Sequence, residues 1–207
     1  MVQKSSMRIL HLSDTHNCHR QLNNLPMADI IVHTGDITME GTCKEIADFM
    51  EWFVSLNYRY KIFIAGNHDF GSKDNTLNLG KSVLPENCFF LHHSGIEIEG
   101  IKFWGVPFFF SDDRNPNYSE LLRMVPMDTD ILVTHRPPMG ILDVSNNTVY
   151  GCSYLLQTVL TVCPRYHLFG HIHNAYGIEK SKFTIFANAS MVDDQYHLIN
   201  KPFVFNL

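Results

Sequence analysis

Residues 8–16 read RILHLSDTH, a short apolar run that ends in Asp14 and His16. Residues 7–12 have the length and apolar content of a β-strand. Because side chains at i and i+2 of an extended segment point the same way, Asp14 and His16 can present two ligand atoms to one point. The segment therefore predicts a strand that carries a chelating pair at its carboxyl end.

Four further apolar runs end in the same way, with a metal-competent side chain directly after the strand pattern. They are DIIVHTGD (29–36), KIFIAGNHD (61–69), DILVTH (130–135) and YHLFGHIH (166–173). The carboxyl ends of strands form the ligand crevice of open α/β sheets, so side chains that are distant in sequence can converge there.

The remaining pattern is typical of an α/β protein without repeats or linkers, and we expect a single domain over residues 1–207. Residues 42–56 predict an amphipathic helix and residues 152–162 a second helix, and residues 96–99 and 101–105 predict a hairpin around Gly100. A polar loop is expected over 70–84. The other expected strands are 29–34, 61–65, 131–134, 166–169, 183–187 and 202–205.

The charge, apolar runs and cysteine content disfavour several classes of protein. Sixteen Lys and Arg against 21 Asp and Glu give a net charge of −5, which disfavours a broad cationic face for extended nucleic acid or an anionic membrane. No run of about 18 apolar residues is present, and residues 1–14 do not resemble a signal peptide, so a cytoplasmic location is expected. The five cysteines form no C-x-x-C pair, which predicts reduced and mostly buried thiols.

The candidate ligands comprise two carboxylates, one amide and four imidazoles, and they include no thiolate. Such a set suits Mn, Fe or Zn, and it exceeds what one tetrahedral ion binds. Two ions that share a carboxylate would use all the ligands, which is typical of binuclear hydrolases. The seven candidates are Asp14, His16, Asp36, Asn67, His135, His171 and His173.

Each motif alone also has an ordinary structural interpretation. Asp14 could cap a helix while His16 lies at the surface, and Gly35-Asp36 and residues 66–69 are common turn sequences. Their joint occurrence in one order, each directly after a strand pattern, favours the metal site.

Together these motifs resemble those of the calcineurin-like metallophosphoesterases. The stretches SDTH, DIIVHTGDIT, YKIFIAGNHD, DILVTHRPPMG, LFGHIHNAYG and FANAS are most similar to the branch of small metallophosphoesterase-domain-containing proteins. The resemblance implies a four-layer αββα sandwich of two mixed β-sheets flanked by helices. It also implies phosphodiesterase activity on cyclic nucleotides and similar esters.

The resemblance further assigns roles to single residues. One metal would bind Asp14, His16, Asp36 and His173, and the other would bind Asp36, Asn67, His135 and His171. Two divalent ions and two carboxylates leave a site charge of about +2, which attracts a phosphate ester. A bridging water of lowered pKa would attack in line, and His68 would donate a proton to the leaving oxygen. Activity should fall on the acid side, because the ligand histidines must be neutral.

Two positions depart from the family pattern, and one aromatic run has two interpretations. Met39 occupies the place where many members carry an acid that orients the proton-donating histidine, and Glu40 follows it. Arg136 follows His135 and would either contact a phosphate oxygen or lie solvated. In the run 104–110, Phe108 would either stack on a nucleobase or belong to core packing or a dimer patch.

The other histidines are expected to be structural. His11, His33 and His167 lie within strand patterns, where core or ligand-supporting roles are expected. Nothing in the sequence distinguishes the remaining four from surface residues: His19, His92, His93 and His197.

These observations favour a metal-dependent phosphodiesterase that acts on a small, nucleotide-derived phosphoester. The alternatives are a phosphomonoesterase or nuclease with the same site, and a non-catalytic metal-binding scaffold. The sequence leaves the oligomeric state open.

Overall fold

The computed structural model describes residues 7–69, 84–107 and 116–207. Within these ranges the chain forms thirteen strands and three α-helices. The strands are β1 (Arg8–Leu12), β2 (Ile30–His33), β3 (Tyr60–Phe63), β4 (Cys88–Phe90), β5 (Ser94–Ile98), β6 (Ile101–Val106), β7 (Ile131–Thr134), β8 (Val144–Ser145), β9 (Thr148–Val149), β10 (Tyr166–Phe169), β11 (Gly177–Lys180), β12 (Ile185–Asn188) and β13 (Phe203–Asn206). The helices are α1 (Cys43–Ser55), α2 (Pro116–Arg123) and α3 (Ser153–Val162).

Two mixed sheets contain most of the strands. The first has the order β13-β1-β2-β3-β4, in which β1 to β4 run parallel and β13 pairs antiparallel with β1. The second has the order β11-β12-β10-β7-β6-β5, in which the four inner strands are parallel and both edge strands are antiparallel. The short pair β8-β9 forms a separate hairpin.

Three apolar clusters define four layers. The central cluster joins residues of both sheets, including Ile9 and Val32 of the first and Val133 and Leu168 of the second. A second cluster packs α1 against the outer face of the first sheet, and a third packs α2 and α3 against the outer face of the second. The expected αββα sandwich is thereby confirmed.

Helix α1 forms where its sequence combines a capping box with an apolar stripe. The Thr42 side chain accepts a hydrogen bond from the backbone N–H of Glu45, whose carboxylate accepts one from the Thr42 N–H. Phe49 and Phe53 are fully buried against the first sheet, and each such side chain contributes about 1.5–3 kcal/mol. The helix thus covers the outer face of β1 to β3.

Several expectations about single elements need correction. The strand expected at 183–187 begins at Ile185, because the Ser181 side chain accepts hydrogen bonds from two following N–H groups and holds residues 181–184 in a turn. All five cysteines, which lie in the described ranges, are free thiols, but only Cys88 and Cys152 are buried. His19 is not a surface residue, because it is buried beneath α1 and bonds to Asp48 (3.0 Å).

Other expectations are confirmed or stay predictions. The hairpin around Gly100 is present as β5 and β6, with Glu99 and Gly100 both at positive φ. Among the described residues no helix combines the length and apolar character that crossing a bilayer requires. The single domain over 1–207 stays a prediction.

The Glu45 carboxylate links folding stability to pH. Burial would raise its pKa, but hydrogen bonds from Thr42, Asn17 and Glu40 lower the pKa from 4.5 to about 2. A carboxyl group with a depressed pKa stabilises the fold above its unfolded-state pKa, and that contribution is lost as the pH falls through the folded-state value. We expect Glu45→Gln to lower the free energy of unfolding at neutral pH and to flatten its decline between about pH 5 and 2.

Urea unfolding at a series of pH values measures this effect. Glu51→Gln is the matched control, because Glu51 lies on the same helix with its side chain 78% exposed and pairs only with Arg20 in the described structure. A pH profile of Glu45→Gln that coincides with the wild-type profile would contradict the expectation.

Candidate metal centre

The carboxyl ends of five parallel strands meet at one edge of the sandwich. Asp14, Asp36 and Asn67 follow the neighbouring strands β1, β2 and β3, whereas His135 and His171 follow the neighbouring strands β7 and β10. The Asp14 carboxylate joins the two sheets, since it accepts the backbone N–H of His171 at 3.1 and 3.0 Å. The convergence expected from the sequence is present.

One group of potential ligand atoms belongs to Asp14, His16 and His173, whose atoms lie within 4.8 Å of one another. The Nε2 atoms of the two histidines are 3.3 Å apart, and His173 Nε2 lies 3.6 Å from Asp14 Oδ1. The group is almost fully buried, with only His173 partly exposed.

A second group consists of Asp36, His135 and His171, again with ligand atoms within 4.8 Å. Asn67 Oδ1 lies 3.0 Å from His135 Nε2 and extends this group to four residues. Asp36 Oδ2 lies between the two groups, 3.4 Å from His135 Nε2 and 3.5 Å from His16 Nε2. Asp36 is therefore placed to serve both.

Backbone carbonyls orient three of the four imidazoles. The Nδ1 atoms of His16, His135 and His173 lie 2.8–3.1 Å from the carbonyl oxygens of residues 38, 34 and 193. Because a carbonyl oxygen only accepts, each Nδ1 carries the proton and each Nε2 presents a lone pair toward the site.

This donor set is suited to cations. With Nδ1 protonated, the two Nε2 lone pairs of His16 and His173 face each other at 3.3 Å, and the His135 lone pair faces the Asn67 oxygen at 3.0 Å. Such contacts between acceptors are unfavourable unless a cation or a proton lies between them. These four side chains therefore fit divalent cations.

The pKa shifts of His135 and Asp36 arise from burial and from the charges of neighbouring groups. Burial would lower the pKa of His135, but the Asp36 and Asp14 carboxylates raise it above the usual value for histidine. Burial would raise the pKa of Asp36, whereas His135 lowers it. The two shifts share one cause, the attraction between the Asp36 carboxylate and the charged form of the His135 ring.

The backbone around the site is strained. Asp14, His16, Asp36 and His171 all adopt positive φ, between 38° and 72°, a region that costs a non-glycine residue about 1–3 kcal/mol. Gly170 packs so closely that an added Cβ would collide with the Asp14 carboxylate and the Ser13 side chain. Backbone strain and close packing thus occur where the candidate ligand side chains converge. Local strain of this kind is typical of functional sites.

The family model described as "Calcineurin-like phosphoesterase" matches residues 7–175. The chain belongs to this family. Metallophosphoesterase domain-containing protein 1 of Homo sapiens is 34% identical to this calcineurin-like phosphoesterase, over 97% of this chain and 71% of the human protein. The 3′,5′-cyclic-nucleotide phosphodiesterase of Nostoc sp. is 24% identical, over 85% of this chain and 69% of its own.

A solved structure supports the fold. The superposition with this structure covers 97% of this phosphoesterase and 99% of the solved chain, with a TM-score of 0.64 and a sequence identity of 15%. The family model and the human relative confirm the family and branch expected from the sequence motifs.

The candidate proton donor of this phosphoesterase, His68, lies beside the first group of ligands. Its ring contacts that of His16, with centroids 4.7 Å apart, and its backbone N–H donates to Asp36 Oδ1 (2.9 Å). Its Nδ1 donates to the Met39 carbonyl oxygen (2.7 Å). Met39, the residue that departs from the family pattern, thus orients His68 through its backbone.

Three buried histidines support the ligand loops of this phosphoesterase, as the sequence predicted. Burial lowers the pKa of each ring to about 3, so all three are neutral. Each Nε2 lies 2.9–3.1 Å from a threonine hydroxyl. Each of these threonines lies one or two residues from a candidate ligand in the sequence. The pairs are His11 with Thr34, His33 with Thr15, and His167 with Thr134.

The two candidate substrate contacts, Arg136 and Phe108, both stay predictions. Arg136 donates from Nε to the Tyr150 carbonyl (2.8 Å), so its guanidinium is tied to the segment that follows β9. Its contact with a phosphate stays a prediction. Phe108 lies outside the described residues, and its role also stays a prediction.

A cavity of about 530 Å³ opens above the candidate ligands and reveals residues that sequence reasoning missed. The Tyr196 ring lies 4.8 Å from His16 and 5.6 Å from His173, and the Tyr150 ring lies 6.4 Å from His171. Asn146 lies at the turn of the β8-β9 hairpin, where Asn146 and Asn147 both have positive φ. The Asn-Asn pair is a hairpin-turn signal that could have been recognised, whereas nothing in the sequence distinguishes Tyr196.

Proposed function

We propose that this phosphoesterase hydrolyses a small phosphodiester with two divalent cations, drawn from Mn, Fe and Zn. The observation that carries the proposal is the position of Asp36 Oδ2 between two sets of ligand atoms. A shared carboxylate is the arrangement by which paired metals serve phosphoryl transfer. The proposed ligands are Asp14, His16, Asp36, Asn67, His135, His171 and His173.

The protein contributes a rigid and charged frame. Bound divalent ions would supply a water of lowered pKa as the nucleophile and positive charge to stabilise the transition state. Asp14 and Asp36 supply two buried negative charges, and the carbonyl contacts of His16, His135 and His173 fix the direction of each Nε2 lone pair. The binding atoms are therefore preorganised.

His68 supplies the acid in this proposal. Because its Nδ1 is bonded to the Met39 carbonyl, Nε2 is the ring atom that can hold a proton for the leaving oxygen. His68 lines the cavity together with Asp36 and Asn67, so a substrate held there lies within its reach.

The cavity and the relatives support a small diester as substrate. A volume of about 530 Å³ is in the range of small-molecule sites. The Tyr150 and Tyr196 rings give the cavity two aromatic walls suited to an apolar or ring-shaped substituent. The relative from Nostoc sp. is named for the hydrolysis of 3′,5′-cyclic nucleotides, and we propose such an ester as the first candidate.

Metal removal and reconstitution test the proposal. Chelated protein is reconstituted with Mn²⁺, Fe²⁺ or Zn²⁺, its metal content is measured, and it is assayed with bis(p-nitrophenyl) phosphate, 3′,5′-cyclic AMP and p-nitrophenyl phosphate. We expect two equivalents of metal and faster hydrolysis of the diesters than of the monoester. Faster hydrolysis of the monoester would instead identify a phosphomonoesterase. Two bound equivalents of metal without any hydrolysis would identify a metal-binding scaffold.

A further inference from the structure

One carboxylate, that of Glu45, holds the loop that follows Asp36. Its Oε1 accepts the side-chain amide of Asn17 and the backbone N–H groups of Met39 (3.3 Å) and Glu40 (3.2 Å). Its Oε2 accepts the N–H (2.9 Å) and the hydroxyl (2.7 Å) of Thr42. Glu45 makes more of these contacts than capping helix α1 requires, because its reciprocal hydrogen bonds with Thr42 already complete the capping box.

The peptide group between Met39 and Glu40 is bound on both sides. Its N–H donates to Glu45 Oε1, while its carbonyl oxygen accepts the Nδ1–H of His68 at 2.7 Å. A carboxylate at one end of such a chain polarises the peptide and strengthens the hydrogen bond at the other end. Glu45 therefore acts on the His68 ring through a single peptide group.

The same loop is held from inside the protein by Asp69. The Asp69 Oδ1 atom accepts the N–H (2.9 Å) and the hydroxyl (2.8 Å) of Thr38, and this carboxylate is fully buried. Asp69 fixes the start of the loop, whereas its contacts do not reach the Met39–Glu40 peptide. Glu45 alone among the described acidic side chains binds that peptide.

We propose that Glu45 is a positioning residue for His68 and acts through the peptide group between Met39 and Glu40. The inference rests on the proposed function, because it assigns His68 to proton transfer. The lowered pKa of Glu45, about 2, is consistent with it, since the carboxylate is ionised wherever the enzyme would work.

Kinetics of four variants test this role. We expect Glu45→Ala to lower kcat by about 10–100-fold while KM and the metal content stay at their wild-type values, because supporting residues have effects of this size. Glu45→Gln keeps one oxygen acceptor, so its kcat should lie between those of Glu45→Ala and the wild type. Thr42→Ala weakens the same helix cap but leaves the Met39 and Glu40 contacts, so it should keep kcat within about threefold. Glu51→Ala controls for loss of an acid from α1 and should also keep kcat.

A double mutant separates positioning from general destabilisation. If Glu45 acts through His68, adding Glu45→Ala to His68→Ala should lower kcat no further. Additive effects, or a Thr42→Ala variant as slow as Glu45→Ala, would overturn the proposal.

The His68 ring itself gives a measurement that needs no turnover. In metal-free protein labelled with ¹⁵N-histidine, long-range ¹⁵N–¹H spectra should show His68 protonated at Nδ1, with His68→Ala providing the assignment. Glu45→Ala should shift this ring toward a mixture of tautomers, while Thr42→Ala should not. An unchanged His68 tautomer in Glu45→Ala would overturn the positioning role, even if no phosphoester proves to be a substrate.

Discussion

Asp36→Asn is expected to reduce the metal content from two equivalents to one or none and to lower kcat/KM by about 10³–10⁴-fold. Asp36 Oδ2 lies between the two groups, 3.4 Å from His135 Nε2 and 3.5 Å from His16 Nε2. The substitution keeps the shape of the side chain but removes one negative charge from both sites. Loss of about 4–6 kcal/mol of charge stabilisation corresponds to this decrease in rate.

Metal content and steady-state hydrolysis of bis(p-nitrophenyl) phosphate measure the two effects. Asp48→Asn is the matched control, because Asp48 lies on α1 and bonds to Arg20 and His19 away from the cavity. Two retained equivalents together with a rate within tenfold of wild type would contradict the shared role of Asp36.

The convergence of the candidate ligands could be predicted from the sequence because each of them follows a buried parallel strand. Strands β1, β2, β3, β7 and β10 are apolar runs of four or five residues with almost no exposed side chain. The end of such a run is recognisable from the sequence, and parallel strands bring their carboxyl ends to one edge. The position of a motif such as Asp14-Thr15-His16 at this edge of the sheet could therefore be predicted from the sequence.

Elements with little buried apolar surface could not be predicted in the same way. Strand β11 (Gly177–Lys180) is mostly exposed, and β8 and β9 have two residues each, so none of them shows a periodic pattern. His19 is buried because α1 packs over it, and that contact joins residues 29 positions apart. Such positions depend on tertiary packing, which a local pattern does not encode.

The same distinction applies to the residues around His68. The His68 position is part of a recognisable motif, but its partner is the backbone of Met39, which any residue would offer. The Glu45 side chain that holds this backbone lies in a helix cap, where its capping role conceals its contact with the loop. A comparison of residue types therefore identifies His68 but not the Met39 carbonyl that bonds to its ring or the Glu45 carboxylate that bonds to the same peptide group.

His68→Ala is expected to leave two equivalents of metal bound and to lower kcat by about 10²–10⁴-fold for substrates with poor leaving groups. The ring lies beside the ligand groups, and one of its nitrogens lies within 4.8 Å of potential ligand atoms of His16 and Asp36. Because the proposal assigns no ion to His68, we expect its loss to remove proton transfer alone. The decrease should be larger for 3′,5′-cyclic AMP, whose leaving alkoxide requires a proton, than for bis(p-nitrophenyl) phosphate, whose leaving group departs unprotonated. His92→Ala, which alters a half-buried histidine outside the cavity, should change neither rate. Equal decreases for both substrates would contradict proton donation by His68, and loss of metal would instead assign it to the ligands.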